Sequence, residues 1–298
     1  MMPIVKWTGS KRSQAEKIIQ LFPKKIDIYY EPFCGGCSVL FALLENKHSF
    51  NIKSFVCSDI NSDLIALWNT IKHNTNDLFY GYSELHNKLT NLSSIDEKKE
   101  FYIDVRNRFN KDRNPIDFFF LNRTSYNGLI RYNSNGDFNV SFHLKRDGIT
   151  IDNLKEILFY SAKLLNDYDV QFICQSYNSI EPSKYDLVYL DPPYQNSTDS
   201  IYFCEFDTVK FLDWLSNVKF SYILSYDGYC GTNNSIKIDE NLFDRHIYLN
   251  AGKSSFRTLK PTTETSDVYE SLYVKNLDID YIDKQINKIQ NRNLHKLF

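Results

Sequence analysis

No stretch of this sequence stays apolar for the ~20 residues that a membrane helix needs. Its opening, "MMPIVKWTGSKR", lacks the apolar core of a signal peptide. These absences point to a soluble protein of the cell interior, expected in the cytoplasm. An excess of basic charge is also missing. The net charge is −2, which excludes a wholly basic nucleic-acid coat but leaves room for a local basic patch. Cysteine is sparse, with six residues and one close pair, Cys34 and Cys37 in "CGGC". No second such pair, and no Cys/His pair, exists to complete a zinc site. No metal is expected, and the glycines between the cysteines have a better use as a turn than as part of a redox motif. Glycine and proline number only 10 and 8 in 298 residues, and neither an internal repeat nor a low-complexity linker interrupts the chain.

What remains is a chain 42% hydrophobic and 15% aromatic, ample for a large core. Short apolar runs end abruptly on polar or turn residues. "IDIYYEPFCGG" reads as strand, Gly-rich turn and then a helix from about Ser38. "SFVCSDIN" reads as a strand ending at Asp59, and "DLIALWNTIKHN" has helical spacing. "VQFICQS", "YDLVYLDPPY" and "FSYILSYDG" are further buried strands, with "IDNLKEILFYSAKLLN" and "DTVKFLDWLSNV" as helices between them. Alternating strands and helices predict a doubly wound, parallel α/β sheet. "RHIYLNAG" and "VYESLYVKN" predict an antiparallel pair at its edge, and the tail after Asn276 a helix. Residues 72–150 break the rhythm. They read as a helical insertion with a hairpin near 131–142, turned at Asn135-Gly136. The α/β part is then discontinuous, 1–71 and 151–298.

Several constellations carry chemistry. The turn in "EPFCGGCSV" follows the first strand and opens a helix, which suits close approach of a nucleotide or its analogue. It is not the three-glycine pyrophosphate pattern. Asp59 ends the second strand, where an acid can bind ribose hydroxyls or simply cap a helix. "DPPY", Asp191 to Tyr194, follows a buried strand. Its prolines cannot continue the ladder, because proline lacks an N–H. Methylation of an exocyclic amine needs two acceptors that draw the nitrogen toward tetrahedral geometry. Asp191 offers a carboxylate and Pro192 a carbonyl held rigid by Pro193, while the Tyr194 ring could stack on a base. Between Lys98 and Arg146 stand ten basic against five acidic side chains, interleaved with aromatics and asparagines. That mixture suits phosphate contact and base-edge readout, or else a solvated helical face.

Taken in order, "KWTGSK", "EPFCGG", "SDIN", "LNRTSYNGLIRYN" with "FNV", and "DPPY" resemble the Dam-like, alpha-group (D12 class) adenine-N6 DNA methyltransferases. Members of that group act alone or in restriction–modification systems. The resemblance covers residues 6 to about 195. DPPY is shared with other amine methyltransferases, whereas the "RTSYNGL" run with "FNV" is far more specific. The resemblance implies a Rossmann-like domain binding S-adenosylmethionine, with a helical target-recognition domain inserted before DPPY. Trp7, Lys11, Glu31, Phe33, Gly35, Gly36 and Ile60 would hold the cofactor, Asp59 its ribose, and Asp191 would sit beside the methyl donor. Ser176 and Tyr177 stand where the family lines the adenine pocket. Asp191, Pro192, Pro193 and Tyr194 would form the catalytic edge. Arg123, Tyr126, Asn127, Arg131, Asn133 and Ser141 would contact double-stranded DNA. A cognate restriction endonuclease acting on the same site is a further implied partner. The chain departs from GATC-directed members at "FNVSFH", with Ser141 in place of a proline and His143 in place of a glycine.

Two other classes compete with that expectation. Methyltransferases of RNA or of protein glutamine use related sites, but have no evident need of the basic "YNGL" insertion. A non-catalytic DNA-binding protein on the same scaffold would have no need of an intact DPPY.

Overall fold

The computed structural model describes residues 3–194, 206–230, 238–253 and 267–294. Seven strands form one sheet: β1 (Lys25–Glu31), β2 (Asn51–Asp59), β3 (Gln171–Cys174), β4 (Leu187–Leu190), β5 (Ser221–Cys230), β6 (Arg245–Lys253) and β7 (Asp267–Lys275). Their order is β3-β2-β1-β4-β5-β7-β6. The first five run parallel, and β7 lies antiparallel to both β5 and β6. All four residues of β4, Leu-Val-Tyr-Leu, are buried, as a parallel strand covered on both faces requires. This is the predicted doubly wound sheet, with the antiparallel pair at one end.

The helices are α1 (Ala15–Ile18), α2 (Ser38–Glu45), α3 (Ser62–His73), α4 (Thr75–Thr90), α5 (Ile95–Asp112), α6 (Pro115–Thr124), α7 (Ile151–Asp167), α8 (Thr208–Asn217) and α9 (Ile279–Leu294). None among the described residues is long and apolar enough to cross a membrane. Local chemistry sets several ends. Asn61 caps α3, its Oδ1 accepting from the Leu64 amide at 3.0 Å. Ser94 and Glu97 form a reciprocal capping box on α5. Pro115 opens α6, where its missing N–H costs nothing.

Between α3 and α7 the chain adds no strand to the sheet. Helices α4, α5 and α6 pack there around Tyr82, Tyr102, Phe109 and Phe118–Phe120, all fully buried. A hairpin follows, carried by isolated bridges between Tyr132 and Phe138 and between Ser125 and Phe142. Its turn is closed by the Gly136 amide on the Asn133 carbonyl at 2.9 Å.

Strand order reverses between β1 and β4. The crevice beyond the carboxyl ends of these two strands is where doubly wound sheets take their ligands.

Candidate active site

Strand β1 ends on Glu31, and the chain turns through residues 32–37 into α2. Gly35 adopts φ +44°, and a Cβ there would stand 2.5 Å from the Trp7 indole nitrogen. Only glycine lets the N-terminal segment press so closely on this turn. The Gly35 amide donates to Asp59 Oδ2 at 3.2 Å, and its carbonyl accepts from Trp68 Nε1 at 2.9 Å. Asp59 closes β2 and also accepts from the Asn61 amide at 3.0 Å. Burial pushes its carboxyl up to about 6, against the pull of the surrounding backbone amides. Beside it Ile60 is 51% exposed. The Phe33 and Tyr177 rings stack at 5.3 Å. Glu31 is buried and accepts from the Tyr29 hydroxyl at 2.7 Å, and burial pushes it up to about 8.

The opposite wall begins where Pro192 stops β4. Lys11 Nζ lies 2.8 Å from Asp191 Oδ1 and 3.2 Å from Glu270 Oε1, and donates to the Gly9 carbonyl at 3.2 Å. The same ammonium stands 4.8 Å from the Tyr194 ring centroid. The Tyr194 hydroxyl donates to Glu270 and lies 3.5 Å from Asp191 Oδ1. Burial raises the Asp191 carboxyl to about 6, opposed by Lys11 and supported by the negative charge of Glu270. Burial opposes the charge on Lys11, but the two carboxylates outweigh it and raise its pKa.

Both walls face one cavity of about 440 Å³. All the residues expected at cofactor or catalytic positions line it: Trp7, Lys11, Glu31, Phe33, Gly35, Gly36, Asp59, Ile60, Ser176, Tyr177, Asp191, Pro192, Pro193 and Tyr194. Gly128 and Ile130 reach the same cavity from the loop after α6. In that loop Asn127 has φ +54°, and Tyr126, 54% exposed, stacks on His143 at 5.7 Å. Asn127, Arg131, Asn133 and Ser141 are exposed on the same loop and hairpin, outside the cavity.

Arg123 behaves differently from the other residues expected at DNA. It is 6% exposed, and its guanidinium donates to the carbonyls of Pro3 and Ile4 at 3.1 and 3.2 Å. Its charge therefore ties the N-terminal segment to α6. The cysteines of "CGGC" are buried thiols, and burial pushes Cys34 up to about 12, far from a reactive thiolate.

Lys6, whose amine in "KWTGSKR" the sequence already offers to a ligand, lies across Gly128, whose φ is +65° and where a Cβ would meet Lys6 Cδ at 2.4 Å. One residue beside the site escapes a sequence reading. Glu270 stands on β7, and its one signal is an acid inside the strand-like run "VYESLYV".

The strand order, the glycine turn at the reversal point and the Asp-Pro-Pro-Tyr edge across from it define a Rossmann-like methyltransferase. More narrowly, the family model for D12 class N6 adenine-specific DNA methyltransferases matches residues 7–266, and the chain belongs to that family. A type II methyltransferase of Methanocaldococcus jannaschii is 36% identical over 216 residues, 66% of this chain and 71% of that protein. The DNA adenine methylase of Escherichia coli (strain K12) is 32% identical over 213 residues, 70% of each chain. A type II methyltransferase of Paramecium bursaria Chlorella virus NC1A is 29% identical over 213 residues, 69% of this chain and 74% of its own. The chain is an adenine-specific DNA methyltransferase, which removes the RNA, protein-glutamine and non-catalytic alternatives.

Proposed function

We propose that the cavity binds S-adenosylmethionine, and that the Asp191–Tyr194 edge receives an adenine swung out of double-stranded DNA. The observation that carries this reading is the meeting of the two halves. The glycine turn with Asp59 and the Lys11-anchored Asp191 share one cavity, which Gly128 joins to the exposed Tyr126–Asn127 loop.

The residues present fit the cofactor. The half-buried Asp59 carboxylate suits ribose hydroxyls, and the exposed face of Ile60 with the Phe33–Tyr177 stack suits a flat purine. Asp191 supplies negative charge for a cationic ligand, while Glu31 lines the cavity as a buried, protonated carboxyl. The bound cofactor supplies an electrophilic methyl group on a sulfonium. The protein's own work is to hold the amine. Asp191 and the Pro192 carbonyl each accept one N–H of the adenine N6, and Lys11 fixes the carboxylate by occupying its Oδ1. Tyr194 gives the base a ring to stack on. Positioning of the amine against the methyl group then supplies most of the acceleration.

Residues 72–150 serve on this reading as the target-recognition insertion on a catalytic domain of 1–71 and 151–298. Tyr126 and Asn127 enter the duplex, while Arg131, Asn133 and Ser141 face bases or phosphates. The protein acts in the cytoplasm, where DNA is accessible, alone or beside a restriction endonuclease of the same specificity, as the type II names among its relatives suggest.

The test is transfer of a labelled methyl group from S-adenosylmethionine to adenine in duplex DNA. Asp191→Ala should abolish transfer yet leave nonspecific DNA affinity intact, because that affinity comes from phosphate contacts elsewhere. Wild-type activity should fall as pH drops through about 6, where Asp191 takes up a proton and ceases to be a pure acceptor. Substantial transfer by Asp191→Ala would refute the role given to that carboxylate.

A further inference from the structure

We propose that Glu270 is a positioning residue for methyl transfer, holding Lys11 and Tyr194 so that the Asp191 carboxylate and the Tyr194 ring stay aimed at the target amine. This rests on the reading that the Asp191–Tyr194 edge receives the adenine.

Glu270 comes 76 residues after Tyr194, on the strand that β5 and β6 enclose. Antiparallel pairing sets it opposite Gly228 on β5 and Leu249 on β6, within reach of Lys11 and Tyr194 behind the cavity wall. There it closes a ring of four side chains. Lys11 Nζ bridges Asp191 Oδ1 at 2.8 Å and Glu270 Oε1 at 3.2 Å. The Tyr194 hydroxyl donates to that same Oε1 and approaches Asp191 Oδ1 at 3.5 Å. An ammonium has three protons, and Asp191, Glu270 and the Gly9 carbonyl account for all three. Lys11 can therefore point in only one way. The Lys11, Glu270 and Asp191 side chains are only 7%, 12% and 20% exposed, so little solvent is available to replace a lost partner.

The ring also sets charge. Two carboxylates share one ammonium, leaving a net negative charge where the target nitrogen becomes positive. Without Glu270, Lys11 would bear on Asp191 alone. The groups facing Asp191 are Lys11 from the N-terminal segment, Glu270 from β7, Tyr194 and Tyr189 from its own run, and Glu31 from β1. Of these, Glu270 adds negative charge that opposes ionisation of Asp191. Removing that charge moves Asp191 ionisation to lower pH.

The experiment compares wild type, Glu270→Gln and Glu270→Ala as full chains, using duplex DNA and S-adenosylmethionine. Single-turnover rate is followed against pH, with cofactor affinity and melting temperature measured alongside. Glu270→Gln keeps an acceptor and loses the charge. Its acid limb should shift to lower pH, with cofactor affinity changed by no more than about threefold. Glu270→Ala loses both, and its rate at the optimum should drop by roughly 10- to 100-fold, the scale of an ångström-level misplacement. An unmoved acid limb in Glu270→Gln overturns the proposal, even if the rate falls, because a merely structural residue would slow the enzyme without shifting its titration. Should Glu270→Ala fail to fold, the Gln variant decides alone. A wild type that transfers no methyl group to adenine condemns the underlying reading, whatever Glu270 does.

Discussion

Glu31 shows what burial does to a single carboxyl in this site. It is 3% exposed, accepts one hydrogen bond from Tyr29, and titrates at about 8 instead of 4.5. Its folded pKa lies above its unfolded one. The protonated form therefore favours the fold, and that contribution is complete below the unfolded value. It is lost progressively as pH rises through the folded value of about 8, because the folded state must then carry a buried charge. Glu31→Gln, neutral at every pH, removes this dependence. The melting temperature of Glu31→Gln minus that of wild type should be small at pH 5 and grow steadily toward pH 8. A difference that stays flat across that range would show that Glu31 is not buried in its neutral form. The same physics gives Asp59 and Asp191 their raised values, but there amides or an ammonium oppose it and hold both near 6.

Among elements, the first turn of α3 links the glycine-turn wall of the cavity to the hairpin. Two residues past the Asn61 cap, Asp63 accepts from the Tyr132 hydroxyl at 2.7 Å and from Arg113 at 3.3 Å. Arg113, the left-handed C-cap of α5, also donates to the Gly136 carbonyl in the hairpin turn at 2.7 Å. One largely buried carboxylate thus joins α3, α5 and the hairpin. Asp63→Ala would remove the acceptor shared by Tyr132 and Arg113 and should destabilise the protein by about 1–3 kcal/mol. Affinity for duplex DNA should fall further than affinity for the cofactor, read by titrating each ligand against the variant. Equal losses would mean that the hairpin holds its place without this link. Elements such as β4 and α7 are legible in the sequence because β4 buries a short apolar run and α7 an apolar stripe at helical spacing. By contrast α6, with eight consecutive buried residues from Asp117 to Thr124, carries no helical stripe to read. The glycine turn and Asp191 are likewise local motifs. Glu270 is not, since its place in the site depends on β7 entering between β5 and β6, a pairing no local pattern encodes. The partners of Arg123 are hidden for a similar reason. Its sequence neighbours suggest DNA, but carbonyls more than a hundred positions away receive its guanidinium.

Across the whole molecule the charges are segregated but largely committed. Of the ten basic residues between Lys98 and Arg146, Lys98 pairs with Asp147, Lys99 with Asp96, Arg108 with Asp117 and Arg113 with Asp63. Arg123 is spent on backbone carbonyls, and Arg106 is half-buried against the Val140 carbonyl. Lys111, Arg131, Lys145 and Arg146 remain exposed, without an acidic partner among the described residues. Each phosphate neutralised on a duplex contributes about −0.9 to the slope of log K against log salt concentration. Four such contacts predict a slope of roughly −3 to −4. The full basic count would instead give about −9. Binding of a short duplex measured across a salt series decides between them. Lys145→Ala should flatten the slope by about 0.9 on every sequence, as loss of one phosphate contact requires. Arg131→Ala, if that guanidinium leaves Asn139 to grip a base edge, should instead lower discrimination by about 1–3 kcal/mol at one position. A slope near −9 would mean that the paired cations release their acids to meet DNA. A slope near zero would remove this face from the DNA-binding surface altogether.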